Sequence, residues 1–287
     1  MRLGTRGSRL ALVQARAVAD ALGAAGITAE IVEITTSGDR GIAGDKARWI
    51  DTIEDALERG DIDLAVHSAK DVPAASLLRD GMALAAVLGR EDARDVLVGA
   101  ASLDELPAGA RVGTASLRRR AELLAVRDDL EVVVLRGNVD TRLRKLREGR
   151  CDALILAAAG LRRLGLDAEI GALLDPSVFV PAPGQGALAV EGREIPAALV
   201  DDHADAALRA ERFVVEALDA TCDTPVGVHH DGVALHAFVG LPDGSAWLRD
   251  SVVADGTAGA ASLIVERLAS MGARELLERA GAMVASS

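Results

Sequence analysis

The chain has 287 residues, half of them apolar and 26% charged, with a formal net charge of −12. That length allows two or three domains with sizeable cores, and the acidic balance excludes the electrostatics of a nucleic-acid or anionic-membrane binder. Three Phe, two Trp and no Tyr leave the cores to Ala, Val, Leu and Ile and exclude base-stacking platforms.

Two cysteines, Cys151 and Cys222, make no disulfide framework. The first residues hold scattered Arg and no continuous apolar run of the signal-peptide kind. The longest apolar runs, such as 153–161, fall short of the ~20 residues that span a bilayer. The expectation is a soluble protein of the reducing cytoplasm.

Short β-like runs alternate with helical periods, the pattern of an α/β chain. Residues 1–5 read as a strand, followed by a helix from about Ser8 to Leu22 with Ala11, Ala15, Val18 and Leu22 on one face. A strand is predicted over 27–34, a polar Gly-rich loop over 36–45, a helix over about 46–59 and a buried strand over 63–67. A second α/β set begins near Asp92, with strands predicted at 95–99, 111–113, 131–135 and 152–157 and helices at 116–127 and 138–149. The Pro- and Gly-rich run 178–186 reads as a hinge or crossover, and 187–191 returns to strand pattern. The last third predicts a helix over 204–219, a loop over 222–231, a hairpin of 233–240 and 245–253, and one final helix over about 258–281.

Gly4-Thr5-Arg6-Gly7-Ser8 and Gly113-Thr114-Ala115-Ser116 form an internal echo. Each follows a short strand and opens a helix. Two such units would face each other across a cleft, with ligands at the carboxyl ends of the strands and helix N-termini offering N–H groups to anions.

The cations are 29 Arg and three Lys: Lys46, Lys70 and Lys145. The Arg count follows a composition rich in Ala, Gly and Asp, but composition does not explain where the Arg residues sit. Arg118 and Arg119 fall in the first turn of a predicted helix, the wrong end of the macrodipole by about 0.3–1 kcal/mol per charge. Arg142 falls near another helix start, behind the N-cap candidate Asn138. Arg6, Arg136 and Arg163 follow strands. Either these are solvated Arg side chains in an Arg-rich chain, or four strand-to-helix junctions build a site for several carboxylates or phosphates.

The run His67-Ser68-Ala69-Lys70-Asp71-Val72-Pro73 follows an apolar strand, and Pro73 holds Val72 extended. An ordinary surface ion pair and a carboxylate poised beside a cationic intermediate both fit Lys70-Asp71. His67 alone reads as structural. No metal-ligand spacing occurs among the five His and two Cys. Cys222 follows a predicted helix in a loop, where a thiol is a nucleophile, an attachment point or a plain loop residue. Cys151 begins an apolar strand and reads as buried and inert.

Taken in order, GTRGSRLAL, HSAKDVP, REDARDVL, GTASLRRR, LRGNVDTRL, AAAGLRRLGL and PAPGQGA resemble the hydroxymethylbilane synthase (porphobilinogen deaminase) family over nearly the whole chain. The resemblance implies an α/β fold of two periplasmic-binding-protein-like domains flanking a cleft, plus a small α+β C-terminal domain. The corresponding residues are 1–88 with 184–200, 92–180, and 203–287. It implies a monomeric cytoplasmic transferase that condenses four porphobilinogen molecules, with loss of ammonia, into a linear tetrapyrrole. The growing chain would sit on a dipyrromethane primer held by a thioether to Cys222. The family usually has Gly-Gly before that cysteine; here the pair is Ala220-Thr221.

By the same resemblance Asp71 is the catalytic carboxylate, stabilising cationic character that passes through the pyrrole nitrogens and moving protons. Ser68, Lys70, Asp71, Thr114, Ser116, Arg118 and Arg119 would meet the cofactor. Arg6, Ser8, Arg136, Gly137, Arg142 and Arg163 would meet substrate or the growing chain, with Gln14 and Gln185 as polar neighbours. Lys46 and Trp49 belong to a mobile-lid region. No metal is implied. The competing reading is a non-catalytic small-anion-binding protein on the same two-domain scaffold, which accounts for the Arg residues but not for Asp71 or Cys222.

Overall fold

Three sheets organise the chain in the computed structural model, which describes residues 1–36, 51–72, 78–220 and 224–285. The first sheet holds β1 (Arg2–Arg6), β2 (Glu30–Ile34), β3 (Leu64–Ser68), β4 (Ala83–Arg90) and β10 (Ala187–Gly192), in the order β2-β1-β3-β10-β4. Strands β1, β2 and β3 run parallel, and β10 runs antiparallel to β3 and β4. The second sheet repeats this plan with β5 (Asp95–Val98), β6 (Arg111–Gly113), β7 (Glu131–Val133), β8 (Ala153–Ala157) and β9 (Ala172–Leu173), in the order β7-β6-β8-β5-β9. Here β6 is parallel to β7 and β8, while β5 is antiparallel to β8 and β9. In each sheet the antiparallel member between the third and fifth strands arrives from the other unit, so the chain crosses between them twice.

Helix α1 (Arg9–Ala24) begins where β1 ends, because Ser8 caps it by accepting from the Ala11 N–H at 3.3 Å. It buries Gln14, Ala15, Val18 and Leu22 on the first sheet, one stripe at helical spacing. Helix α2 (Asp51–Arg59) covers the opposite face through Ile53, Ala56 and Leu57. The second unit carries α3 (Leu117–Val126), α4 (Val139–Arg147) and α5 (Ala158–Arg163). The first core, with Leu3, Leu22, Leu64, Val66 and Val190 at its centre, contains no aromatic side chain, as the composition requires. Each fully buried Leu or Val there contributes about 1.5–3 kcal/mol.

The third unit holds α6 (Asp202–Ala217), an antiparallel sheet of β11 (Val226–His230), β12 (Leu235–Gly240) and β13 (Trp247–Val252), then α7 (Gly256–Ser270) and α8 (Ala273–Ala285). Two expectations are corrected here. Residues 226–230 are a strand, with Val226 and Val228 alternating into the core against β12. The single final helix is two, because Gly272 turns left-handed at φ +91° and ends α7. Three strands and helices lie where none is predicted: the two-residue β9, β4 and α5. Strand β4 is Ala-rich and takes its form from pairing with β10. Helix α5 is a short Ala-Gly-Leu run behind β8. Asn138 stands at the N-cap of α4, but its side chain makes no capping bond. Among the described residues no helix is long and apolar enough to cross a membrane.

Candidate active site

The carboxyl ends of parallel strands in both sheets meet at one cleft. Arg6 and Ser8 reach it from the β1–α1 junction, and Ser68, Lys70 and Asp71 from the turn after β3. Arg119 comes from α3, Arg142 from α4 and Arg163 from α5, and Gln14 of α1 lies alongside. After β3 one turn of 3-10 helix, Ala69–Asp71, presents Lys70 and Asp71, and Val72 leaves it extended at φ −84°, ψ 127°. The crossovers thus convert five separate sequence segments into one cationic surface around one carboxylate.

Asp95, at the start of β5, organises the cations. It is fully buried and accepts from Arg118 Nη1 at 2.7 Å, from Arg119 Nη2 at 2.8 Å and Nε at 3.1 Å, and from Gln185 Nε2 at 2.7 Å. Burial alone would raise its pKa; the two guanidiniums outweigh that and hold it well below the usual carboxylate range. Gln185 Oε1 in turn accepts from both Lys70 Nζ and Arg119 Nη2, each at 3.3 Å. One amide oxygen therefore collects a cation from each unit.

Arg142 and Arg163 are short of counter-charge. Burial, reinforced by the positive charge of Arg119, pushes Arg142 down to about 10, and Asp71 opposes the shift. Its Nε has no hydrogen-bond partner among the described residues. Burial also lowers Arg163, whose Nη2 donates to the Gly186 carbonyl at 2.6 Å. Partly desolvated guanidiniums that repel one another form an anion site, because a carboxylate there relieves both penalties.

Other predicted residues sit elsewhere. Arg118 is buried away from the cleft, donating to Asp95, to Glu122 Oε2 at 2.7 Å and to the Val180 carbonyl at 2.8 Å. Gln185 is 1% exposed and bridges the units instead of lining the cleft. Thr114 accepts from the Ser116 N–H at 3.1 Å, and Ser116 caps α3 by accepting from the Arg119 N–H at 3.5 Å. Both therefore shape the helix start that carries Arg119. Arg136 and Gly137 are exposed and do not line the cleft. Lys46, Trp49, Pro73 and Cys222 lie outside the described residues. Cys151 is buried, and burial raises its thiol pKa. His67 is buried with Nε2 3.4 Å from Glu191, which fits a structural histidine, although its ring also borders the cleft.

Sequence reasoning assigned no role to Asp95, Glu122, Glu211 or Arg212. For Asp95 a signal existed, since a charged residue opens an apolar strand inside REDARDVL. Glu122 lies at helical spacing from Arg118, an (i, i+4) pair.

Two α/β lobes around a guanidinium-lined cleft, with one carboxylate on a tight turn and a third α+β unit behind, define a two-lobed anion-binding architecture. The model of the family described as porphobilinogen deaminase, dipyromethane cofactor binding domain, matches residues 1–201. The chain is 48% identical over 263 residues to the porphobilinogen deaminase of Roseiflexus sp. (strain RS-1), covering 84% of this chain and 86% of that one. It is 45% identical over 298 aligned positions to that of Roseiflexus castenholzii, covering 96% and 97%. Among solved structures, a nutrient binding protein from Burkholderia cenocepacia bound to methionine matches at 14% identity with a TM-score of 0.42, covering 67% of this chain and 84% of that chain. The chain belongs to the porphobilinogen deaminase family.

The residues present fit a dipyrromethane bearing acetate and propionate groups. Lys70 and Arg119 already converge on one acceptor oxygen, and Arg142 has a donor unmatched among the described residues beside them.

Proposed function

We propose that this chain is a hydroxymethylbilane synthase, a transferase that condenses four porphobilinogen molecules into a linear tetrapyrrole on a dipyrromethane primer tethered through Cys222. The observation that carries the reading is the convergence of Arg6, Lys70, Arg119, Arg142 and Arg163 on the cleft that holds Asp71. When bound, the dipyrromethane supplies the nucleophilic pyrrole carbon to which units are added.

The protein's own part is to bind, align and move protons. Lys70 and Arg119 hold primer carboxylates; Arg6, Arg142 and Arg163 hold those of the incoming unit and the growing chain. Ser68 and Gln14 contribute polar contacts at the cleft wall. Asp71 faces the reacting pyrrole, accepts its N–H and stabilises the positive charge that spreads there as ammonia leaves. In each cycle one C–N bond breaks and one C–C bond forms. The proton shed by the pyrrole α-carbon passes to Asp71 and departs with ammonia as ammonium. Thr114, Ser116, Arg118 and Gln185 act through Arg119 and Lys70, by fixing where those side chains stand.

The three sheets support a division into domains at 1–88 with 184–200, 92–180, and 203–287. We further read the protein as a cytoplasmic monomer, and as one without nucleic-acid partners, the last supported by its net charge of −12.

Intact mass spectrometry before and after porphobilinogen tests the reading. The purified protein should carry the mass of two linked pyrroles and gain further units stepwise. Cys222→Ser should lack the adduct and Cys151→Ser should keep it. An adduct that survives Cys222→Ser refutes the tether; no adduct and no stepwise gain refute the function.

A further inference from the structure

Helix α6 belongs to the third unit by its core, through Ala210 and Val214. Its other side lies against the first sheet. Asp205 Oδ1 accepts from the Ala86 N–H of β4 at 2.9 Å. Leu208 packs in one cluster with Ala69, inside the turn that carries Asp71, and with Ala187 and Ala189 of β10. Glu211 accepts from Nη1 and Nη2 of Arg90, at 2.6 and 3.1 Å. Arg212 Nη1 donates to the carbonyl oxygen of Val72 at 3.1 Å, and Val72 directly follows Asp71.

Arg212 is only 8% exposed. A guanidinium is withdrawn from water at a cost, and such a group persists where its hydrogen bonds hold something in place. Here it holds the exit of the turn after Asp71, while Leu208 supports the entry at Ala69.

We propose that Arg212 is a positioning residue for Asp71. The inference rests on Asp71 having the role proposed above. A misplacement of about 1 Å in a reacting group is enough to cost on the order of 100-fold in rate. The effect should therefore fall on kcat, with substrate affinity and cofactor attachment left intact.

The test compares Arg212→Met, Arg212→Lys and Asp71→Asn holoenzymes by steady-state kinetics, intact mass and thermal melting. Arg212→Met should lose at least about tenfold in kcat, with unchanged KM for porphobilinogen and unchanged adduct mass. Arg212→Lys, which still donates to the Val72 carbonyl, should recover most of the rate. Wild-type kcat in Arg212→Met overturns the proposal, as does a loss in which kcat, KM, adduct and melting temperature fall together and Lys recovers nothing. If the Met variant does not fold, Arg212→Gln, whose shorter side chain falls short of the Val72 carbonyl, carries the test. A kcat reduced at wild-type melting temperature and KM supports the proposal, and a wild-type kcat, or a kcat reduced only in step with melting temperature, overturns it. Wild-type turnover in Asp71→Asn would instead remove the site reading on which the inference stands.

Discussion

Replacing Asp95 with Asn removes one charge from the centre of the molecule and should expose how much depends on it. The carboxylate is fully buried and receives four hydrogen bonds, from Arg118, Arg119 and Gln185. Asparagine keeps the shape, but its amide would turn an N–H toward a guanidinium or leave a donor unpaired. Removing one partner of a buried ion pair costs about 3–5 kcal/mol. Arg118 keeps Glu122 and the Val180 carbonyl as acceptors, which places the loss near the lower end, about 3 kcal/mol. With a urea slope of about 1–3 kcal/mol per molar, the midpoint should fall by 1 M or more. Since Asp95 titrates below the usual carboxylate range, its contribution is present above the unfolded carboxylate pKa of about 4. It is lost only as pH falls through the lower folded value. The wild-type-minus-variant difference in urea unfolding should thus be present throughout about pH 6 to 8, shrinking as Glu122 ionises because Asp95 also holds that carboxyl up. A difference under about 1 kcal/mol, or one that vanishes in that window, would refute the claim that a charged Asp95 pins the two arginines.

Further outcomes follow from the same geometry. Burial pushes Glu122 up to about 8 against the pull of Arg118, so the folded protein should lose stability as pH rises from about 4.5 through that value. Glu122→Gln should remove the trend, its urea midpoint gaining on wild type between about pH 5 and 8.5, and a constant gap would contradict it. Arg142→Leu deletes a partly desolvated donor set worth about 1.5–3 kcal/mol to a bound carboxylate. KM for porphobilinogen should rise roughly 10- to 150-fold, and an unchanged KM would take Arg142 off the substrate. Gly186 has φ +87°, and a Cβ there would lie 2.2 Å from the Glu91 carbonyl oxygen. Gly186→Ala should destabilise by more than about 2 kcal/mol, and a wild-type urea midpoint would show that the crossover can relax.

Much of the cleft was legible because its signals are local. Strand-to-helix junctions announce themselves through periodicity and capping residues such as Ser8 and Ser116. Arginines at the wrong end of a helix dipole stand out against that background, and Lys70-Asp71 occupies a turn whose shape the following proline enforces. Missed elements were those whose form depends on distant partners. The Ala-rich β4 is a strand because β10 pairs with it across about a hundred residues of chain.

Arg118 and Arg119 show most directly where linear reading stops. Adjacent helical residues point about 100° apart, so the rotation of α3 decides which of the two reaches the cleft and which turns into the buried network with Glu122 and Val180. Gln185 reads as a polar neighbour of substrate until the crossovers bring Asp95, Arg119 and Lys70 around it. The chemistry on offer, guanidiniums and one carboxylate at strand ends, is written in residue types a few positions apart. Which of them face each other is set by packing between segments remote in the chain, since side-chain direction follows from how whole elements dock and not from their immediate neighbours.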